Sequence, residues 1–395
     1  MRIQTITVDN FKSLVGFRLD LAKFNCLIGL NGSGKSTVLQ FVDFLSQQVR
    51  GDLTGWLEER KWEAREVRSR LTRKKNIEFA ITLVNGKGGT DVSWKASYNP
   101  WELRCTSERI ETPGAVLEVK DGSYSVLAST AEGKNSKDVK NERILFSYEG
   151  SILSQLREGV LPPSLVSFKS YFEKVKSHEL LSPEHLRRRT REAAGSLGLG
   201  GQKLSAFLYE LGPKNCGKLT DRLKQVYPRL NALRVKSLRS GWKQLDIVEE
   251  YNHKFRRTEL LRTMTTEARH VNDGMLRLIA LLAGLQTDHH FVLFDEIENG
   301  INPELVEFVL DALVSAEQQV LVTTHSPMVL NYLEDDVAKA GVLYLYKTRH
   351  GCTQAIPFFS IPSLEKKLSV MGPGEAFVDT DLIALDDEIA AMTGG

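Results

Sequence analysis

The chain has 395 residues, 42% of them apolar, enough to bury a full core in one large two-lobed domain or in two domains. A formal net charge of +2 neither demands nor excludes a nucleic-acid partner, so the placement of charge matters more than its sum. Four scattered cysteines with no C-x-x-C pair suggest neither a zinc site nor a disulfide framework and fit a reducing cytoplasm, and no apolar run is long enough to cross a membrane as a helix.

Met1 leads straight into the alternating Arg2-Ile3-Gln4-Thr5-Ile6-Thr7-Val8, the pattern of a strand and not of a signal peptide. Residues 2–8 and 16–28 read as two strands around Asp9-Asn10-Phe11-Lys12-Ser13, and the second delivers the chain into Gly29-Leu30-Asn31-Gly32-Ser33-Gly34-Lys35-Ser36. Those eight residues fit G-x-x-x-x-G-K-[ST] between a strand and a helix, a context in which backbone N–H groups cradle a phosphate chain. Asn31, Gly32, Ser33, Gly34 and Thr37 form the expected cradle, Lys35 reaches the β and γ phosphates, and the Ser36 hydroxyl coordinates Mg²⁺. The following helix is expected to run to about Gln48.

From Trp56 to Lys75 the chain reads as a charged amphipathic helix, its Arg60, Lys61, Arg65, Arg68, Arg70, Arg73, Lys74 and Lys75 forming either a solvated face or a strip for nucleic-acid phosphates. Five short alternating runs follow: Ile77–Val84, Val92–Tyr98, Trp101–Cys105, Val116–Val119 and Tyr124–Leu127. Turn signals at Asn85-Gly86, Gly88-Gly89, Pro113-Gly114 and Asp121-Gly122 separate them, which predicts an antiparallel meander. Residues 129–142 are polar and read as an exposed loop.

Between Ser151 and about Arg269 helical periodicity dominates, punctuated by Pro162-Pro163, Pro183, Pro213 and Pro228. Basic residues recur there: Arg187, Arg188, Arg189 and Arg191, then Arg234, Lys236, Arg239 and Lys243, then Lys254, Arg256 and Arg257. Leu197-Gly198-Leu199-Gly200-Gly201-Gln202 resembles a transporter signature in its letters but opens no apolar helix, and reads as a loop.

The last third alternates strand and helix, implying parallel strands. Phe291-Val292-Leu293-Phe294 is a buried-type strand ending in Asp295-Glu296, Pro303 to about Ala316 a helix, and Gln319–Thr324 a strand ending in His325-Ser326-Pro327. Behind a phosphate loop, the first carboxylate is expected to hold Mg²⁺ and the second to act as general base. His325 is placed to hydrogen-bond a γ-phosphate. Val342–Lys347 and Thr353–Phe358 read as a closing strand pair, and Met371–Gly395 carries Glu375, Asp379, Asp381, Asp386, Asp387 and Glu388 with no Lys or Arg. That acidic tail is either simply exposed or a docking strip for a basic partner. The expected organisation is an N-terminal lobe (1–145), a helical lobe (146–265), a C-terminal lobe (266–358) and the tail (359–395).

The order of these motifs, with Asn272-Asp273-Gly274-Met275-Leu276-Arg277 opening an apolar helix before Asp295, resembles ABC-type ATPase heads. More narrowly, Asn10-Phe11-Lys12-Ser13 and Glu296-Ile297-Glu298-Asn299-Gly300-Ile301-Asn302-Pro303 are similar to the RecF/SMC/OLD branch and its small stand-alone ATPases. The resemblance implies an α/β ABC-type P-loop head with an antiparallel β subdomain and a helical lobe, binding ATP and Mg²⁺. It implies a homodimer or larger homo-oligomer in which Asn272, Asp273 and Gly274 of one copy close over nucleotide held by the other. Lys12 is carried over as a nucleotide contact, Gln155 as the Mg²⁺-sensing glutamine, and Glu296, His325 and Lys35 as the catalytic set. Asn272 replaces the family's serine. A coiled-coil tether is not expected, because Pro and Gly interrupt the middle. An intrinsic nuclease is not expected either, although Asp379-Thr380-Asp381 is reminiscent of a metal-binding D-x-D. Two functions remain: an ATP-dependent regulator of a separately encoded nuclease or toxin, as in bacterial anti-phage modules, or a nucleic-acid-binding repair ATPase.

Overall fold

A computed structural model describes residues 1–85, 92–128, 141–178, 182–193, 195–255 and 258–393. The chain forms two compact units, one of Met1–Ser177 with Glu334–Gly395 and one of His178–Leu333. The class is α/β, as expected.

In the first unit an eight-stranded antiparallel sheet runs in the order Phe17–Asp20, Arg2–Asp9, Ile77–Val84, Val92–Asn99, Arg104–Thr112, Ala115–Lys120, Ser123–Ala128, Glu142–Arg143. Alternation decides its faces: Ile77, Phe79, Ile81 and Leu83 are buried, while Glu78 between them is exposed. The inner face packs aromatics edge to face, with Trp94 lying 4.9 Å from Phe79 and 5.0 Å from Phe172 between ring centroids. The meander's third strand is Arg104–Thr112 and not Trp101–Cys105, because Trp101 sits in a turn whose backbone the Asn99 side chain holds. The turn residues Gly86, Gly88 and Gly89, and 129–140 of the expected polar loop, lie outside the described residues.

The single strand expected over 16–28 is two, Phe17–Asp20 and Phe24–Ile28, broken where Asn25 hydrogen-bonds Ala22 in both directions. The break lets Phe24–Ile28, buried throughout, leave the antiparallel sheet and pair in parallel with Val342–Lys347, which pairs antiparallel with Thr353–Pro357. The Trp56–Lys75 helix is also corrected. It covers only Leu53–Arg60 and stops at Lys61, where φ is +56°, and a short 3-10 turn follows at Ala64–Val67. Arg60 belongs to no solvated face: it is buried and pairs with buried Asp43 at 2.8 Å, an acceptor shared with Trp56. Lys74 pairs with Asp9. The acidic tail folds into helices Pro362–Leu368, Pro373–Val378 and Leu382–Thr393, which bury Leu364, Leu368, Ala376, Leu385 and Ile389.

The second unit pairs Phe291–Phe294 in parallel with Gln319–Thr323, linked by the helix Val306–Val314. Helices Leu204–Leu223 and Asp273–Gly284 supply its apolar packing. Helical periodicity fails over Leu230–Glu267, which forms an antiparallel sheet of Leu230–Ser237, Lys243–Phe255 and Thr258–Glu267. Its content of Val235, Ile247, Val248, Thr263, Thr265 and Thr266 favours strands over helix. Arg256 and Arg257 lie outside the described residues. The transporter-like Leu197–Gln202 is a glycine turn before the Leu204 helix, as expected of a loop.

Candidate nucleotide site

The phosphate loop follows a fully buried strand and enters the helix Lys35–Arg50, where Gly34 takes φ +111° at the N-cap. A Cβ there would also lie 2.4 Å from the Thr353 hydroxyl, so glycine is required both for conformation and for space. Thr353, from the closing strand pair, donates to the Ser33 carbonyl at 2.8 Å and sits 2.8 Å from the Ser13 hydroxyl, stapling the loop to Asn10-Phe11-Lys12-Ser13. Lys35 is buried and reaches back to the Gly29 and Leu30 carbonyls at 2.8 and 3.2 Å. Asn31, Gly32 and Ser36 are exposed and Thr37 is half-buried. The Ser33 hydroxyl is buried with no partner among the described residues, an orphan donor within the loop and the feature expected of a cradle for anionic oxygens.

Lys12 lies over the Trp62 ring, 3.2 Å from its centroid, and donates to Gln40 of the loop helix at 2.9 Å. It opens on a cleft of about 430 Å³ lined by Ser13, Trp62, Arg68, Arg70 and Gly351. Gln155 is not at this site. It is exposed, and it follows Ser151, whose N–H bonds the Gln48 carbonyl near the far end of the loop helix. At 1.5 Å per residue that end is about 20 Å from Lys35, so Gln155 is no ligand of Mg²⁺ held by Ser36.

In the second unit, Asp295 and Glu296 leave an apolar strand that is buried at every position. Glu296 adopts φ +49°, a left-handed backbone that costs a non-glycine residue about 1–2 kcal/mol. A buried side chain on the next strand helps hold it there. Thr323, wholly buried on the neighbouring strand, accepts the Glu296 N–H at 2.8 Å and donates its hydroxyl proton to Asp295 Oδ1 at 2.5 Å. His325 places Nε2 3.9 Å from Glu296 Oε1, and its own N–H is held by Glu298 at 2.8 Å.

Asn272 caps the helix Asp273–Gly284 through its side-chain oxygen, which accepts from Met275 N–H at 2.8 Å. Because Oδ1 is committed to the cap, the amide Nδ2 is the group this exposed residue presents outward. Asp273 is paired by Arg187, which also donates to the Val271 carbonyl at 2.8 Å. Arg277, its pKa lowered by burial, donates to the Asn299 carbonyl. The basic run read as a phosphate grip is largely spent on carboxylates: Arg188 pairs with Glu184 at 2.8 Å and Arg189 with Glu267 at 2.6 Å, while Arg191 stacks on Trp242.

The sequence reading missed Thr323, Thr353, Arg187 as the partner of Asp273, and Asn299. A Thr-Thr before His325 was visible, but nothing local marks which hydroxyl turns toward the carboxylates. Asp379 of the D-x-D pairs with Lys367 at 3.2 Å.

The sequence matches the family described as "AAA domain, putative AbiEii toxin, Type IV TA system" over residues 121–331, more than half the chain. The chain belongs to this family. Residues 1–148 also match "AAA ATPase domain". It is an AAA ATPase by family, and family membership implies nucleotide binding. Among solved structures, this AAA ATPase is similar to an SMC head bound to the C-winged helix domain of ScpA (15% identity, covering 90% of this chain and 98% of that one, TM-score 0.49). An SMC head domain from Thermotoga maritima (11%, 90% and 99%, 0.45) is also similar. So is one with an extended coiled coil from Pyrococcus furiosus, bound to the C-terminal domain of ScpA (14%, 93% and 98%, 0.48). No curated protein matches the sequence. No described helix is long and apolar enough to cross a membrane.

Proposed function

We propose that this AAA ATPase hydrolyses ATP, and that ATP-dependent pairing of two copies controls a separately encoded nuclease or toxin in a bacterial anti-phage module. The observation that carries the enzymatic part is the Thr323 clamp, which holds the Asp295 carboxylate and the backbone of Glu296 at the end of one buried strand. Glu296 accepts the proton of the attacking water as its oxygen bonds to the γ-phosphorus and the bond to the ADP oxygen breaks. His325, beside Glu296, hydrogen-bonds the γ-phosphate. Lys35 and the loop N–H groups hold the β and γ phosphates. Ser36 in the first unit and Asp295 in the second are each a hard oxygen donor of the kind that suits Mg²⁺, an ion that would neutralise developing phosphate charge. Asn272 donates its free amide to the γ-phosphate held by the second copy, in place of the family's serine, and Asp273 and Gly274 complete that contact.

The regulatory part is supported by the family's description, which names a toxin–antitoxin system. A nucleic-acid-binding repair role draws less support, because Arg187, Arg188 and Arg189 are engaged by acids of the same unit. Steady-state ATP turnover with Glu296→Gln tests the chemistry. The variant is expected to bind ATP, stop hydrolysis and persist as a dimer, and normal turnover would refute the base assignment. Purifying that variant with its native operon expressed tests the regulatory reading, through a co-purifying nuclease or toxin.

A further inference from the structure

We infer that Asn299 is a positioning residue for Glu296, and that Arg277 on the Asp273–Gly284 helix holds it in place, so that this helix and the general base move together. The inference rests on the reading of Glu296 as general base and names what regulates it.

Two bonds return from Asn299 to Glu296. The Asn299 N–H donates to the Glu296 carbonyl at 3.0 Å, and its side-chain amide donates to Glu296 Oε2 at 3.1 Å. The Glu296 side chain is about one-third exposed, so without that amide its carboxylate is free to sample other rotamers in solvent. Asn299 is itself exposed and needs an anchor. The Arg277 guanidinium supplies it by donating to the Asn299 carbonyl.

A second contact ties the same two segments. A Cβ on Gly274 would come within 2.9 Å of the Gly300 carbonyl, and one on Gly300 within 3.1 Å of Arg277 Nε. The helix therefore touches the Asn299–Gly300 turn at its first residues and again one turn later, with no slack at either point. A small shift of the Asn272–Gly274 end, such as docking on nucleotide held by another copy would impose, displaces Asn299 and with it the Glu296 carboxylate. A misplacement of about 1 Å is enough to change turnover about 100-fold.

The test compares wild type, Asn299→Ala, Asn299→Gln, Arg277→Ala, Arg277→Lys and Glu296→Gln for kcat, KM for ATP, and the lifetime of the ATP-loaded dimer by size-exclusion chromatography. Asn299→Ala is expected to lose about 100-fold in kcat with KM unchanged, and to prolong the dimer as Glu296→Gln does. Arg277→Ala should behave alike, with partial recovery in Arg277→Lys and Asn299→Gln. Adding Asn299→Ala to Glu296→Gln should not lengthen the dimer further, since both act on one step. Wild-type kcat in Asn299→Ala, or a loss that falls on KM with an unchanged dimer lifetime, overturns the inference alone. Normal turnover in Glu296→Gln, or none in the wild type, removes the base assignment and the inference with it.

Discussion

Replacing Thr323 by Val keeps the shape of the side chain and deletes only its hydroxyl, the atom that accepts the Glu296 N–H and donates to Asp295. Each group that loses this hydrogen bond costs roughly 1–3 kcal/mol if it stays dry. Asp295 and Glu296 are half-buried and partly rehydrate, which puts the pair near the lower end, about 2 kcal/mol in all. For a unit of this size that corresponds to a fall in melting temperature of about 4–8 °C. Turnover should suffer more, by about 100-fold, because the Asp295 carboxylate and the backbone that carries Glu296 lose their register. Thr323→Ser retains the hydroxyl and should keep most activity, losing about 1 kcal/mol for the buried methyl. Differential scanning fluorimetry and a steady-state ATPase assay read both quantities. If Thr323→Val turns over ATP at the wild-type rate, the clamp has no part in ordering the carboxylates and the geometry has been misread.

Three further outcomes are expected. The left-handed backbone of Glu296 should make Glu296→Gly more stable than Glu296→Ala by about 1 kcal/mol although both are inactive, as thermal melts of the pair would show. Gly274→Ala should impair ATP-dependent dimerisation, read by light scattering, because the new Cβ meets the backbone oxygen of Gly300, which cannot swing aside. Finally, burial raises the pKa of Glu108 to about 7, against hydrogen bonds from Ser151, the Ile152 N–H and the Trp94 indole. A carboxyl raised in the folded state binds its proton more tightly there than when unfolded. Its contribution to stability is therefore full below pH 4.5 and is lost as pH rises to about 7. The shift amounts to about 3 kcal/mol. The difference in urea midpoint between wild type and Glu108→Gln, followed over that range, should trace this loss, and a flat difference would contradict it.

The parts legible in the sequence are those that one short segment dictates. The G-x-x-x-x-G-K-S spacing, an apolar strand ending in two acids, and an Asn before an apolar helix each carry their own geometry. Side-chain partnership is not written locally. Arg187 reads as a phosphate contact until the fold brings it to Asp273, 86 residues away. Arg60 reads as solvated until it is found buried against Asp43. Gln155 fitted a family layout by order along the chain, yet the length of one straight helix separates it from the phosphate loop. The Leu230–Glu267 region misled for another reason: the helical periodicity around it suggested short helices, whereas its β-branched residues pair as a sheet once neighbours are there to receive them.

By itself, then, the sequence determined that this chain carries a G-x-x-x-x-G-K-S loop after a buried strand, a carboxylate pair and an Asn-capped apolar helix, because backbone conformation at glycine, at a strand end and at an N-cap depends on a few adjacent residues. Only the tertiary structure decided that Thr323 joins the Asp295 carboxylate to the Glu296 backbone, that Thr353 staples the loop, and that Asn299 and Arg277 link the Asp273–Gly284 helix to Glu296. Those are hydrogen bonds between groups that meet only when separate elements pack, and no local pattern encodes which of several equivalent hydroxyls or amides will be turned inward.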